Sequence, residues 1–238
     1  MPDLFPTPDR VLIIVAHPDD AEFGSGGTIA RWATSGSNIR LVVVTDGSKG
    51  SAEPDMTSEE LVKIREGEER AAAAILGINE VVFLGYEDGR VENTLDLRRD
   101  IVRQIREHKP DILITHDPTA RIIDNRIFNH TDHRAVGDTT LDCVYPLARD
   151  RLNFPEHEAE GLEPHKVLDV FLQGSNEWNY LVDITDTIET KIRSLWEHKS
   201  QIGEPERLAK FLRERYSDIA ADSSMNYAER FRRVRLGR

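Results

Sequence analysis

The sequence predicts an α/β fold whose sheet is mostly parallel and whose helices cover both faces. Apolar runs of strand length alternate with segments of helical periodicity, and this alternation implies parallel pairing with right-handed crossovers. The first apolar run is almost continuous, as in a strand buried on both faces. With 238 residues and no linker-like stretch, the chain is expected to form one Rossmann-like domain over residues 1–238.

The first half of the chain supplies the repeating units. The predicted strands are residues 11–16, 39–45, 80–84 and 111–115. The predicted helices begin with residues 28–35, after a glycine-rich turn, and continue with residues 58–76 and 95–108. Thr57 and Glu60 have the spacing of a capping box, and Gly77 marks the end of that helix.

The second half is expected to add two strands and two helices. The strands are residues 167–173 and 180–184, and the helices are residues 185–198 and 204–216. The basic stretch RFRRVRLGR at the C-terminus is expected to be a solvated final helix or a contact with an acidic neighbouring subunit in a homo-oligomer. Two polar segments, 46–55 and 117–131, are expected to be irregular and lie just past strand ends, where α/β proteins place their chemistry.

Composition excludes several classes of protein. The formal net charge of -12 argues against nucleic acid as a partner, because a phosphate backbone would be repelled. The sequence has no apolar stretch of membrane-spanning length and no signal-peptide pattern at its N-terminus, so a cytoplasmic protein is expected. The single cysteine, Cys143, excludes an intramolecular disulfide and a cysteine-rich zinc site, and is expected to be buried in a helix.

The first group of candidate functional residues is His17-Pro18-Asp19-Asp20, directly after the first strand. Pro18 forces an extended turn, and two adjacent carboxylates on such a turn cannot face the same point. One could therefore bind a metal ion while the other acts as a base. The alternative is a purely structural turn in which Asp20 caps the next helix.

The second group is Asn129-His130-Thr131-Asp132-His133, at the start of a predicted helix. His130 and His133 are three residues apart and share one face of such a helix. One could bind a metal ion while the other transfers protons, and Asp132 could orient either ring. The alternative is a pair of surface histidines. His116, at the end of the fourth strand, could support the site.

Both groups are expected at the same edge of the sheet. One histidine, one aspartate and one distant histidine, with an open position, is the usual plan of a catalytic zinc site. Iron(II) could occupy the same donors. The glycines at 24–27 lack the spacing of a dinucleotide loop, and the preceding carboxylates would repel a pyrophosphate, so a nicotinamide-dependent oxidoreductase is disfavoured.

Four motifs together resemble the PIG-L / LmbE-like deacetylases. They are AHPDD at 16–20 followed by GSGGT, TDGSKGS after the second strand, HTDH at 130–133, and the VDIT and HKSQ segments between residues 182 and 201. The resemblance covers nearly the whole chain. It implies a zinc-dependent hydrolase that removes an acetyl group from an N-acetylated amino sugar or its conjugate.

The resemblance also assigns roles to particular residues. It implies that His17, Asp20 and His133 bind zinc and that Asp19 is the general base that activates the attacking water. It implies that His130 protonates the leaving amine or stabilises the oxyanion.

Two further residues, Arg65 and Asp132, are candidates for substrate contacts. Arg65 falls where relatives carry a helix arginine near the substrate. The alternative for Arg65 is a solvated ion pair with Glu66 and Glu69.

The chain departs from the family pattern at two positions. Many relatives read HPDDE, whereas here Ala21 follows and Glu22 comes one place later, which leaves the role of Glu22 open. Phe128 stands where some relatives carry a tyrosine, so oxyanion stabilisation would fall to zinc and His130.

Two other functions remain as alternatives. One is an amidase that cleaves a different amide, such as a thiol conjugate, and the other is a non-catalytic module that binds a sugar or a metal. Asp19 and His130 argue against the module, because simple binding needs neither a base nor an acid.

Overall fold

The computed structural model describes residues 7–237. The strands are β1 Arg10–Val15, β2 Asn38–Thr45, β3 Glu80–Tyr86, β4 Ile112–His116, β5 Ile122–Ile123, β6 Ile127–Phe128, β7 Asp169–Gln173, β8 Tyr180–Asp183 and β9 Ala228–Arg235. The helices are α1 Asp20–Thr34, α2 Ser58–Leu76, α3 Leu95–His108, α4 Thr131–Asp142, α5 Pro155–Ala159, α6 Ile188–Leu195 and α7 Pro205–Ala220. A short π-helical turn, Cys143–Leu147, extends α4.

Seven strands form one sheet in the order β3-β2-β1-β4-β7-β9-β8. The pairs from β3 through β7 are parallel, whereas β9 pairs antiparallel with both β7 and β8. The prediction of a mostly parallel α/β sheet is therefore confirmed. The β5–β6 hairpin lies apart from this sheet, inside the 117–131 segment that the sequence predicts to be irregular.

Helices cover both faces of the sheet, as the sequence predicts. Val11, Ile13 and Val15 of β1 belong to a core that includes side chains of α1, α2, α6 and α7. Leu12 and Ile14, which alternate with them, belong to a second core that includes α3, α4 and the buried Cys143. Because β1 is buried on both faces, its carboxyl end is held rigidly in the middle of the molecule.

Helix α1 corrects one sequence-based expectation. It begins at Asp20 and not near residue 28, so the glycine-rich stretch lies inside the helix. A Cβ atom on Gly27 would stand 2.7 Å from Cγ2 of Ile184, and one on Gly26 would stand 3.2 Å from Cγ of Lys191. The glycines therefore let α1 lie close against the segment that follows β8.

A buried ion pair holds α1 against the C-terminal strand. Lys191 Nζ and Glu229 Oε1 are 2.6 Å apart and both side chains are fully buried. The Glu229 carboxylate accepts hydrogen bonds from the backbone N–H groups of Gly27 and Thr28, at 2.9 and 2.8 Å. Lys191 also donates to the carbonyl oxygen of Phe23 at 2.8 Å. The pair thus joins α1, α6 and β9.

The expectation of a final helix in the basic C-terminal stretch is wrong, whereas the expected contact with a neighbouring subunit stays a prediction. Residues 228–235 form β9 in the interior of the sheet, with Phe231 fully buried. Arginines of β9 pair with acidic residues of neighbouring segments, as in Arg230 with Asp124 at 2.5 Å and Arg233 with Asp169 at 2.7 Å. Their charge is thereby matched within the chain.

Candidate metal and active site

The candidate site lies at the carboxyl edge of the parallel strands, where α/β proteins bind ligands. Residues 17–20 follow β1, Asp88 follows β3, His116 ends β4, and residues 129–133 lead into α4. Two segments far apart in the sequence are brought together here because β1 and β4 are neighbours in the sheet.

Three side chains present donor atoms to one point. His17 Nδ1 lies 3.3 Å from His133 Nε2 and 3.4 Å from Asp20 Oδ2, and His133 Nε2 lies 3.1 Å from Asp20 Oδ1. Bonds of about 2.0–2.1 Å to a tetrahedral zinc ion place donor atoms roughly 3.3–3.4 Å apart. The spacing of this donor set therefore fits an ion of that size.

The other nitrogen of His17 is held by two carboxylates. Nε2 lies 3.1 Å from Asp88 Oδ1 and 3.3 Å from Asp132 Oδ2. A proton on Nε2 satisfies these contacts and leaves the lone pair of Nδ1 for a metal ion. His133 is oriented in a similar way, because its Nδ1 lies 3.1 Å from Oδ1 of Asn129.

Asp132 is placed to support the ring of His17. The carboxylate is fully buried and accepts hydrogen bonds from the N–H groups of Gly89, at 2.7 Å, and Val91, at 3.3 Å. The alternative that Asp132 orients a histidine agrees with this geometry, and its expected contact with a substrate stays a prediction.

His116 offers a further nitrogen beside the donor set. Its ring stacks on that of His133, with centroids 4.1 Å apart, and its Nε2 lies 3.3 Å from Asp20 Oδ2. The N–H of Ala16 already donates to this Nε2 at 3.1 Å. Burial and the neighbouring His133 lower the pKa of His116 to about 4. His116 is therefore a neutral wall of the site whose lone pair is already occupied.

The carboxylates around His17 leave the donor set anionic. Burial alone would lower the pKa of His17, but its hydrogen bonds to Asp132, Asp20 and Asp88 outweigh this and raise it to about 12. Without a bound cation, the His17 ring therefore keeps both of its ring protons at neutral pH. A metal ion that uses Nδ1 must displace a proton from the ring.

Asp19 adopts a backbone conformation that is unusual for a residue other than glycine. Its φ angle is 91°, in the left-handed region. Its N–H donates to Glu69 Oε2 at 2.9 Å, and Arg65 donates to the carbonyl oxygen of Pro18 at 2.7 Å. These contacts hold the turn, so Asp19 and Asp20 point to different surroundings.

The environment of Asp19 suits a proton acceptor. Burial and the charge of Asp20 raise the pKa of Asp19 to about 7, against the opposing charge of Arg65. A base with a pKa near the working pH is the most effective general catalyst. One carboxylate oxygen lies 3.4 Å from Arg65, and 17% of the side chain remains exposed.

The proposed solvated ion pair of Arg65 is wrong. The residue is only 4% exposed, and its guanidinium donates to the carbonyl oxygens of Gly47 and Pro18. Arg65 therefore ties α2 and the irregular 46–55 segment to the Asp19 turn. Its expected contact with a substrate stays a prediction.

His130 stands at the N-terminus of α4 with its side chain 46% exposed. Its Nδ1 accepts a hydrogen bond from the N–H of Asp132 at 3.2 Å, so the neutral ring carries its proton on Nε2. Burial and the charge on His17 lower the pKa of His130. The ring is edge-on to that of His17, with centroids 4.6 Å apart.

Three buried residues lie together behind Asp19, and the sequence did not predict that they form a group. Glu22, Glu69 and His198 are fully buried, and Glu22 Oε2 lies 3.6 Å from His198 Nε2. Burial raises the pKa of Glu22 to about 7, and burial together with the charge of Glu22 raises that of Glu69 well above its usual range. Glu22 and Glu69 are thus a buried acidic pair with raised pKa values, and Glu69 of this pair accepts the hydrogen bond from the N–H of Asp19.

Phe128 stands where some relatives carry a tyrosine. It lies on β6 of the hairpin and is 84% exposed. It has no hydroxyl group, so the expectation that a metal ion and His130 stabilise the oxyanion stays a prediction.

The profile of the PIG-L family, described as GlcNAc-PI de-N-acetylase, matches residues 12–144. This match covers more than half of the chain and includes every donor described above. The chain belongs to the PIG-L family.

Curated relatives of this PIG-L protein carry names of sugar deacetylases. A diacetylchitobiose deacetylase of Thermococcus kodakarensis is 34% identical over 195 residues, which cover 82% of this chain and 71% of that protein. A 1D-myo-inositol 2-acetamido-2-deoxy-alpha-D-glucopyranoside deacetylase of Thermobispora bispora is 33% identical over 187 residues, which cover 68% of this chain and 58% of that protein.

Solved structures share the fold of this PIG-L protein. The N,N'-diacetylchitobiose deacetylase from Pyrococcus horikoshii, complexed with its inhibitor MPG, has a TM-score of 0.87 at 29% identity, covering 96% of this chain and 84% of that one. GalB, a 4-carboxy-2-hydroxymuconate hydratase from Pseudomonas putida, has a TM-score of 0.78 at 21% identity, covering 97% of each chain. The second likeness shows the fold alone, so the reaction must be argued from the site.

Proposed function

We propose that this PIG-L protein is a metal-dependent amide hydrolase that removes the acetyl group from an N-acetylated amino sugar or its conjugate. The observation that carries the proposal is the convergence of the His17, Asp20 and His133 donors, with Asp19 next to Asp20 in the chain. The names of the Thermococcus and Thermobispora relatives support the substrate class.

We further propose zinc as the resident ion, because two imidazole nitrogens and one carboxylate oxygen with an open position suit it. When bound, zinc would polarise the amide carbonyl and lower the pKa of water at the open position. Iron(II) accepts the same donors, so measurement of the bound metal decides between the two ions.

The chain's own residues would carry the proton transfers. Asp19 would accept a proton from the water whose oxygen attacks the carbonyl carbon. As the C–N bond breaks, His130 in its imidazolium form would give its Nε2 proton to the departing nitrogen, and the proton held by Asp19 would restore the charge on His130, so the products would be acetate and a free amine. Asp88 and Asp132 would keep the His17 ring fixed throughout.

The test is a metal analysis followed by an activity screen. Protein purified without chelator should contain bound zinc or iron, and it should release amine from N-acetylglucosamine or N,N'-diacetylchitobiose. A chelator should abolish turnover, and added metal should restore it. A His130→Ala variant should keep the metal and lose most of the turnover.

Two outcomes would favour the alternatives. Metal-loaded protein that binds these sugars but releases no amine would be a non-catalytic module. Release of amine only from a thiol conjugate would make the protein an amidase of another substrate class.

A further inference from the structure

A cavity of about 420 Å³ opens beside the metal donors. At one end it is lined by Asp20, His116 and His133. The rest of its wall is largely apolar and comes mainly from α1, the β5–β6 hairpin and α7, with the polar side chains of Asn129, Gln173, Arg215 and Arg230 among them. We call this wall the apolar groove and define it by Phe23, Ile123, Ile127, Phe211 and Ile219.

The apolar groove brings together side chains that are unusually exposed for their type. Phe23, Ile127 and Phe211 are 37%, 52% and 53% exposed. Single apolar side chains on a surface need no explanation, but several around one concave site indicate a binding surface. The cavity is continuous with two metal donors, so its natural occupant is a part of the substrate itself.

The charged residues at the groove are partly paired with each other. Arg230 lies 2.5 Å from a carboxylate oxygen of Asp124, and Arg215 lies 3.7 Å from the same oxygen. This single aspartate offsets one of the two positive charges. Because most of the remaining wall is apolar, an uncharged, apolar group fits the body of the cavity.

The position of His130 decides which part of the substrate faces the groove. This step rests on the proposed function, in which His130 protonates the departing nitrogen. The His130 ring packs against His17, and neither residue lines the cavity, which opens on the His116 side of His133. With the nitrogen beside His130, the substituent on the carbonyl carbon points the other way, towards the apolar groove.

We propose that the apolar groove binds the acyl chain of the substrate and that this enzyme prefers N-acyl amino sugars whose acyl group is longer than acetyl. An acetyl group places one methyl at the mouth and leaves the apolar wall in contact with water. Each further methylene buried against it strengthens binding by about fourfold.

The first experiment compares two series of substrates with the metal-loaded enzyme. One series is N-acyl glucosamines with acetyl, butanoyl, hexanoyl and octanoyl groups, and the other is N-acetylglucosamine glycosides with methyl to octyl aglycones. We expect kcat/KM to rise by about fourfold per methylene in the acyl series until the groove is filled. A rise only in the glycoside series would place the aglycone in the groove and overturn the proposal.

A matched pair of variants tests whether the acyl chain binds in the apolar groove. Ile127 lines the cavity, whereas Ile122, on the other strand of the same hairpin, does not, and the two are 52% and 45% exposed. Ile127→Glu should remove the gain in kcat/KM with acyl chain length, so that the ratio of octanoyl to acetyl turnover falls towards one. Ile122→Glu should leave that ratio as it is in the unchanged protein. Equal effects of the two variants would contradict the proposal.

Binding of alkyl hydroxamates separates this proposal from the proposed function. These compounds bind a metal ion directly and carry an alkyl group where the substrate carries its acyl chain. Calorimetry should show affinity rising with chain length in the unchanged protein and not in Ile127→Glu, even if no sugar is hydrolysed. Equal affinity for acetohydroxamate and octanohydroxamate would overturn the groove proposal, whereas absent hydrolysis with a normal hydroxamate series would overturn only the proposed function.

Discussion

Asp19 and Asp20 are adjacent in the chain, yet the left-handed backbone conformation of Asp19 places the two side chains in different surroundings. Asp20 accepts a hydrogen bond from the N–H of His17 at 2.7 Å and joins the donor set. The N–H of Asp19 donates to Glu69, and its carboxylate accepts a hydrogen bond from Arg65. The two carboxylates are chemically identical, so the difference in their contacts follows from the backbone conformation.

Substitution of each carboxylate by its amide should separate base from ligand. Asp19→Asn should keep the metal but lower kcat by about 10²–10⁴-fold, because a general base is removed. Asp20→Asn should weaken metal binding, because a neutral amide is a poorer ligand than a carboxylate. Metal analysis and kinetics on both variants check this, and loss of metal from Asp19→Asn alone would reverse the assignment.

Metal affinity should depend on pH through His17. The pKa of this ring is raised to about 12 without the ion, so the ring is protonated throughout the range from pH 6 to 8. Binding then releases one proton, and the dissociation constant should fall about tenfold for each unit of rising pH. Competition with a chelator at three pH values measures this, and a flat profile would show that no proton is displaced.

At the scale of elements, two glycines in helices make a controlled comparison. Gly27→Ala places a Cβ atom 2.7 Å from Ile184, and such overpacking costs about 1–3 kcal/mol. Gly67→Ala in α2 meets no atom within 4 Å and should stabilise by about 0.4–1 kcal/mol. Denaturant titrations of both variants should give opposite signs, and a neutral Gly27→Ala would mean that α1 is free to move away from Ile184.

The sequence predicts elements well where local signals agree with packing. Helix α2 has its predicted bounds because Thr57 and Glu60 form the capping box and Gly77 takes a φ of 80°. Strand β9 was missed because five of its eight residues, AERFRRVR, are charged. Partners far along the chain, such as Asp124 and Asp169, make that composition compatible with a strand.

The sequence predicts those residues of the site that belong to recognisable motifs. HPDD and HTDH predict three candidate metal donors, and the structure brings the side chains of His17, Asp20 and His133 together, whereas their role as ligands stays a prediction. Asp88 and Glu69 carry no motif of their own, and His198, which opens the HKSQ segment, was given no role, so only the fold places these residues around His17 and Asp19. The burial of Asp132 cannot be inferred from its position beside two histidines.

For the whole molecule, metal binding should act as a structural link. The donors come from the end of β1, the start of α1 and the start of α4, and none of them is close to another in an unfolded chain except His17 and Asp20. An ion at one hundred times its dissociation constant should therefore stabilise the fold by about 2.7 kcal/mol. Thermal unfolding with zinc and with chelator measures this, and His133→Ala should abolish most of the difference.

No helix within residues 7–237 is long and apolar enough to cross a bilayer. The cytoplasmic location and the homo-oligomer suggested by the sequence both stay predictions. Sedimentation of the purified protein would determine the oligomeric state.

The place of β9 in the sheet determines when the site can be finished during synthesis. Strand β8 has β9 as its hydrogen-bonded neighbour in the sheet, and Glu229 of β9 binds the backbone of α1, the helix that begins at Asp20. A ribosome must therefore translate through residues 228–235 before α1 gains its last anchor, although His17 and Asp20 were made more than two hundred residues earlier. We expect nascent chains stalled before residue 228 to be cleaved by protease around β8 and to bind zinc weakly, whereas chains stalled well beyond it should resist the protease.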